Sequence, residues 1–141
     1  MKRVICAFLL LFPTLQLASA PLSPSDCFGR WKNDIYTFTF TKNYTASIII
    51  AINPQNCFVF NGVFNVERDN LIRVNISEMK SCPRDAAFSK SGFSKASSSH
   101  FIFSLDHKGD KRTLIVRPKE IIIDGNNSEG YFDQEMTLRR N

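Results

Sequence analysis

One segment, residues 57–77, constrains the fold of this chain more than any other. It reads CFVFNGVFNVERDNLIRVNIS, with apolar and polar residues alternating on both sides of a polar turn. Because strand side chains alternate between the two faces of a sheet, this pattern predicts an amphipathic β-hairpin with an aromatic face. A hairpin alone is only marginally stable in water, so the rest of the chain must supply further strands.

The remaining chain carries further strand patterns and almost no helical periodicity. The clearest is IYTFTFT at 35–41, where aromatic residues alternate with threonines. Further strands are predicted at 46–52, 100–105, 113–117, 120–124 and 131–138. Such a series of short strands is typical of a barrel or a sandwich. We predict an all-β fold, a small antiparallel up-and-down barrel of about eight strands.

Residues 84–99 interrupt this series with a stretch rich in serine and lysine. Phe88 and Phe93 are its apolar anchors. Loops of this length are uncommon in compact domains and often cover binding sites, although a disordered insertion has the same composition. We place this loop near a rim of the barrel.

Residues 1–20 have the three parts of a secretory signal peptide. A basic start precedes a short apolar run, and small residues follow at 18–20. The run is too short to span a bilayer, so no stable membrane insertion is expected. Cleavage near residue 20 leaves a single domain, 21–141. We therefore predict a secreted, extracellular protein.

Three N-glycosylation sequons begin at Asn43, Asn75 and Asn126. Two of them lie in predicted turns and Asn75 faces outward on its strand, so behind a signal peptide they predict a glycoprotein. The basic residues are scattered among acidic ones, which disfavours nucleic acid binding.

The tripeptide Gly29-Arg30-Trp31 resembles the Gly-x-Trp signature of the calycin barrels, the lipocalin and fatty-acid-binding type. In those barrels the tryptophan closes one end beneath a basic residue of the last strand. The resemblance implies that Trp31 closes the barrel here and that Arg139 or Arg140 supplies the basic group. It also implies a small apolar ligand in the barrel.

The hairpin and its flanks are similar to the META domain. That pattern has a cysteine, a glycine-bearing aromatic strand, a polar turn, a second strand and a Met-x-Cys-Pro-like end. Here these are Cys57, FNGVF at 60–64 and MKSCP at 79–83. Both families are small antiparallel barrels, so the two resemblances agree on the fold.

Cysteine pairing is constrained by number. Cys6 leaves with the signal peptide, so at least one of the remaining Cys27, Cys57 and Cys82 has no partner within the chain. An up-and-down strand order places all three at one barrel end, where Cys57–Cys82 is the preferred disulfide and Cys27–Cys82 the second choice. Cys27 is then a buried thiol in a monomer or the link of a dimer. The three cysteines with His100 have suitable ligand types for zinc but not its usual spacing, so no metal is predicted.

The sequence contains no recognisable catalytic motif or cofactor motif. It lacks a Gly-x-Ser-x-Gly, a phosphate-binding loop and a His-Glu-x-x-His. His100 begins a predicted strand, so we interpret it as structural or exposed. His107 lies in a predicted turn, so we interpret it as a solvated loop residue. We predict a protein that is not an enzyme and holds no cofactor.

The inward positions of the predicted strands are the candidate ligand contacts. They are Phe38, Phe40, Phe58, Phe60, Phe64, Ile72, Val74, Phe101 and Phe103. An eight-stranded barrel is either filled by side chains or holds one small ligand. The chain is thus either a secreted carrier of a small apolar ligand or an extracellular protein-interaction module with a filled core. Outward apolar residues favour the second. They are Ile49, Val59, Val63, Ile102 and Ile115.

Overall fold

Antiparallel strands make up most of the computed structural model, which describes residues 22–109 and 111–141. The predicted signal peptide and its cleavage lie outside the described residues. The strands are β1 (Gly29–Lys32), β2 (Tyr36–Phe40), β3 (Thr45–Ala51), β4 (Cys57–Val66), β5 (Leu71–Cys82), β6 (Ser94–Lys95), β7 (His100–His107), β8 (Thr113–Ile123), β9 (Asn126–Asn127) and β10 (Met136–Arg140). Among the described residues, no helix has the length and apolar character needed to cross a membrane.

Eight of these strands close into a barrel. β1 to β5 are successive neighbours, β5 continues to β7, β7 to β8 and β8 to β10, and β10 pairs with β1. Every pairing is antiparallel, and the two-residue strands β6 and β9 attach to β5 and β8. The closed, all-antiparallel, eight-stranded barrel confirms the predicted fold class.

The number of barrel strands agrees with the prediction, but β1, β5, β7, β8 and β10 differ from it in their bounds. Gly29-Arg30-Trp31 itself forms most of β1, ahead of the segment predicted as the first strand. The segments 113–117 and 120–124 join into the single strand β8, which continues through Pro118. The register with β7 shifts at this proline, and bulges are where a strand tolerates the missing N–H.

β5 is longer than predicted. A β-bulge interrupts its alternating pattern, so its second half could not be recognised as strand from the sequence. The register between β4 and β5 shifts beside Gly62, which leaves Ser77 as an extra residue in β5. The bulge reverses the alternation of side chains, so that Lys80 and Cys82 face outward. Gly62 is required at this point, since a Cβ there would lie 1.9 Å from the backbone oxygen of Asn75.

The barrel interior is packed with aromatic rings. All nine predicted inward residues belong to one apolar cluster, in which Phe58 is half-buried and the other eight are buried. Phe60 lies edge-to-face on Phe101 with ring centroids 5.0 Å apart, and Phe38 lies so on Phe103 at 5.3 Å. Such pairs contribute about 0.5–1.5 kcal/mol each beyond the burial of their area.

The serine-rich segment covers the outer face of the barrel and does not line a rim. Ile49 and Val59, which face outward on β3 and β4, are buried beneath it with Ala87, and Phe93 packs against them. Two of the five outward apolar residues, Ile49 and Val59, are therefore explained, because they belong to a second, smaller core under this segment. Val63 stays exposed.

Lys80 fastens this segment to the barrel. Its amine donates hydrogen bonds to the carbonyl oxygens of Ala86 at 2.9 Å, Ser89 at 2.8 Å and Ser91 at 3.1 Å. The same amine lies 4.5 Å from the ring centroid of Phe93. The side chain is 7% exposed, and all three of its N–H groups have acceptors, so the buried charge is compensated.

Candidate ligand-binding site at the barrel mouth

Trp31 closes one end of the barrel, hereafter the closed end. Its side chain is fully buried, and its indole N–H donates to the Cys27 carbonyl oxygen at 2.9 Å. The Arg140 guanidinium lies 4.1 Å from the indole ring and donates to the Phe28 carbonyl oxygen at 2.7 Å. The residues just before β1 thus cross this end. They are held there by the hydrogen bonds from Trp31 and Arg140, whose side chains form a cation–π contact with each other.

Arg140, rather than Arg139, is the basic residue at Trp31. Arg139 is exposed on the outer face of β10, since neighbouring strand residues point to opposite faces. The expectation for His107 is also wrong, because β7 extends to include it. The His107 ring lies 5.6 Å from that of Trp31, and its Nε2–H donates to the Asp26 carbonyl oxygen at 3.1 Å.

The three cysteines do not lie at one end of the barrel. Cys27 precedes β1 at the closed end, whereas Cys57 begins β4 and Cys82 ends β5 at the opposite end. The prediction was wrong because β1 adds a strand between Cys27 and the segment taken as the first strand. Cys27 therefore cannot pair with Cys82 or share a zinc site with His100. The described chain contains no cluster of three or more potential metal ligands.

Cys57 and Cys82 lie directly opposite each other on β4 and β5. Both are described as free thiols, as is Cys27. Direct partners in an antiparallel ladder have Cα atoms about 4.5 or 5.5 Å apart, and both values fall within the range of disulfides. The register is compatible with the predicted Cys57–Cys82 disulfide, which stays a prediction. Cys27 is fully buried, so a dimer linked through it requires the closed end to open.

Cysteine alkylation distinguishes these states. Burial, assisted by the Asp26 carboxylate, raises the pKa of the Cys27 thiol to about 12, and the thiolate is the reactive form. We expect native protein at pH 8 to take no iodoacetamide on Cys27. If Cys57 and Cys82 are joined, unfolded and unreduced protein should take one label. The number of labels is measured by mass spectrometry of the intact protein. Three labels without reduction would contradict the disulfide, and labelling of native Cys27 would contradict its burial.

At the opposite end of the barrel, hereafter the mouth, one side chain inserts into the interior. Phe132 follows β9 in the segment 128–135. Residues 131–135 of this segment were predicted as part of the final strand, 131–138, but the strand β10 begins at Met136. Phe132 is 6% exposed and contacts the rings of Phe101 at 5.4 Å and Phe103 at 5.2 Å. The Asp133 N–H donates to the Tyr36 hydroxyl at 2.9 Å, which fixes the segment to β2.

A cavity of about 500 Å³ remains at the mouth, between this segment and the strands β2 to β4. This volume lies within the usual range for small-molecule sites, about 300–1,000 Å³. The cavity is lined by Ile35, Tyr36, Ile50, Ile52, Phe58, Ser128, Gly130, Tyr131 and Asp133. Apolar side chains thus form most of one wall, and hydroxyl, carboxylate and backbone groups lie on the other.

One of the nine predicted ligand contacts, Phe58, lines this cavity. The other eight pack against one another and against Phe132 in the interior. Ile35 and Ile52 were predicted at the ends of the strands 35–41 and 46–52 and were not included among the ligand contacts. In the structure both lie just outside β2 and β3, at the mouth. Ile35 is 40% exposed and Ile52 is 59% exposed, and the sequence pattern does not reveal this exposure.

The mouth presents polar groups beside its apolar wall. Burial raises the pKa of the Tyr36 phenol, so the hydroxyl stays neutral at physiological pH and serves as a hydrogen-bond acceptor for Asp133. The polar side chains among the described lining residues are those of Tyr36, Ser128, Tyr131 and Asp133, and each can form hydrogen bonds with a ligand.

Comparison with known proteins identifies no relative. Protein-family models, curated proteins and solved structures were all searched, and none matches. The function is therefore inferred from the geometry of the barrel and its surface.

Proposed function

We propose that this protein is a secreted glycoprotein that binds a small apolar ligand at the barrel mouth and does not transform it. The observation that carries the proposal is the cavity of about 500 Å³ between β2–β4 and the segment 128–135. Its apolar wall favours an apolar ligand, because each Å² of apolar surface removed from water contributes about 25 cal/mol of favourable free energy.

The closed end supports a binding site with a single opening. Trp31 and Arg140 close the far end of the barrel, and Phe132 fills the interior, so a ligand has access from the mouth. This arrangement is compatible with the calycin resemblance of Gly29-Arg30-Trp31. On this proposal the ligand lies above the core, in contact with Phe58 and Tyr131, which both line the cavity.

Surface features support the secretory part of the proposal. Asn43, Asn75 and Asn126 are all exposed, as glycosylation requires. The opposed Cys57 and Cys82 suit an oxidising compartment. Both observations agree with the predicted signal peptide.

Native mass spectrometry of protein secreted from eukaryotic cells tests the proposal. We expect an extra mass of a few hundred daltons that denaturation releases. Ile52→Asp should remove this mass, because Ile52 lines the cavity, and a carboxylate there opposes an apolar ligand. Ile52 is exposed enough, at 59%, that the fold should tolerate the change.

Val63→Asp is the matched control for this experiment. Val63 is similarly exposed, at 53%, and lies outside the mouth lining. Loss of the extra mass in both variants would contradict a site at the mouth. Absence of extra mass in the unaltered protein would favour the second candidate, an extracellular protein-interaction module. The filled interior around Phe132 is the observation that supports that candidate.

A further inference from the structure

The closed barrel gathers basic residues that are far apart in the sequence. Arg30 and Lys32 face outward on β1, because Trp31 between them faces inward. Arg139 on β10 is the direct partner of Lys32. Arg84 lies across an outer groove of about 270 Å³ that Arg30 and Lys32 also line. We call these four residues the basic face.

The charges of the basic face are not neutralised within the described chain. No member of the basic face belongs to an ion pair between described side chains, such as those of Arg117 with Asp106 and Glu135. Asp34 is the one carboxylate among the described residues that line the groove. The positive charge of this face is therefore in clear excess.

The pairing of Lys32 with Arg139 has a cost. Like charges directly opposite each other on neighbouring strands destabilise a sheet. Both side chains are exposed, so substitution by a neutral residue would relieve the repulsion without exposing the core. Lys32 and Arg139 repel each other and have no counterion within the described chain. An anion from outside the chain would relieve this repulsion.

The groove has rigid walls. One wall is β1, and the other is the segment that Lys80 fastens to the barrel through three carbonyl oxygens. Arg84 donates to the Ala51 carbonyl oxygen at 3.4 Å, and Arg30 lies 5.2 Å from the ring centroid of Phe88. These contacts hold the Arg30 and Arg84 guanidinium groups in place before any anion binds, which lowers the entropy cost of binding.

We propose that the basic face binds a linear sulfated polysaccharide of the extracellular space. Arg30 and Lys32 are two positions apart on a strand, so their stems are about 7 Å apart, a spacing that suits a chain with repeated anionic groups. Arginine forks bind planar or tetrahedral oxyanions with two hydrogen bonds. Asn33 and Thr37 line the same groove and offer hydrogen bonds to sugar hydroxyls. The choice of a polysaccharide rests on the proposed secretion, whereas the anion site does not depend on the mouth cavity.

Binding of a heparin-derived hexasaccharide, measured by titration calorimetry at several salt concentrations, tests the proposal. We expect the double variant Lys32→Gln/Arg139→Gln to bind at least tenfold more weakly, because two charge-assisted contacts are lost. Its thermal stability should be equal to or slightly above that of the unaltered protein, since a like-charge pair is removed. Affinity should fall steeply with salt.

The matched control is Lys42→Gln/Lys119→Gln. It removes the same charge from exposed positions in the β2–β3 turn and on β8, outside the groove. We expect its affinity to stay within about twofold of the unaltered value. An equal loss in both variants would show that net charge alone acts and would overturn the site. Equal binding of single-stranded DNA or of anionic lipid vesicles, or no binding at physiological salt, would overturn the polysaccharide. An extra mass at the mouth is unaffected by any of these results.

Discussion

Replacing Trp31 with alanine is expected to lower the free energy of unfolding by about 4 kcal/mol. The indole is fully buried at the closed end, so its removal leaves a cavity. The change also removes the donor to the Cys27 carbonyl and the ring beneath Arg140. Urea unfolding followed by circular dichroism measures the effect. Fluorescence is unsuitable because Trp31 is the sole tryptophan.

Two further variants separate the parts of this effect. Trp31→Phe keeps an aromatic ring and loses the N–H, so we expect a smaller loss, about 2 kcal/mol. Phe88→Ala is the surface control, since Phe88 is 67% exposed, and should cost under about 1 kcal/mol. A loss below about 1 kcal/mol for Trp31→Ala would contradict the role of Trp31 in closing the barrel.

The fold was predictable from the sequence because alternation is a local signal. The positions of Phe38 and Phe40 in the sequence are enough to identify the inward face of β2, without knowledge of the contacts between strands. The pattern fails where a bulge changes its phase. After Ser77 the inward and outward positions exchange, so a strand that continues to Cys82 looks like the end of a strand.

The candidate sites were less predictable because they depend on which distant elements meet. Phe132 lies in a loop, and its insertion into the barrel is determined by the space between Phe101 and Phe103. The basic face is scattered in the sequence and forms when β10 closes on β1. Trp31 was identified from a resemblance, since alternation over the four residues of β1 is too short to locate a strand.

Replacing Phe132 with alanine is expected to destabilise the protein by about 3 kcal/mol and to open the interior to ligands. The ring is 6% exposed and packs between Tyr36, Phe101 and Phe103, so truncation leaves an apolar space next to the mouth cavity. Engineered apolar cavities of this kind stay dry and bind benzene or xenon. We expect benzene to raise the melting temperature of the variant by more than it raises that of the unaltered protein, whose interior is filled.

Tyr131→Ala is the matched control, because Tyr131 precedes Phe132 and is half-buried at the cavity wall. It should cost less stability and should not create a benzene site in the interior, since Phe132 still fills the barrel. If Phe132→Ala costs less than about 0.5 kcal/mol, the ring is not inserted as described. If it costs about 3 kcal/mol but benzene has no effect, the segment 128–135 collapses into the space. In that case Phe132 serves packing alone and does not limit how deep a ligand can enter.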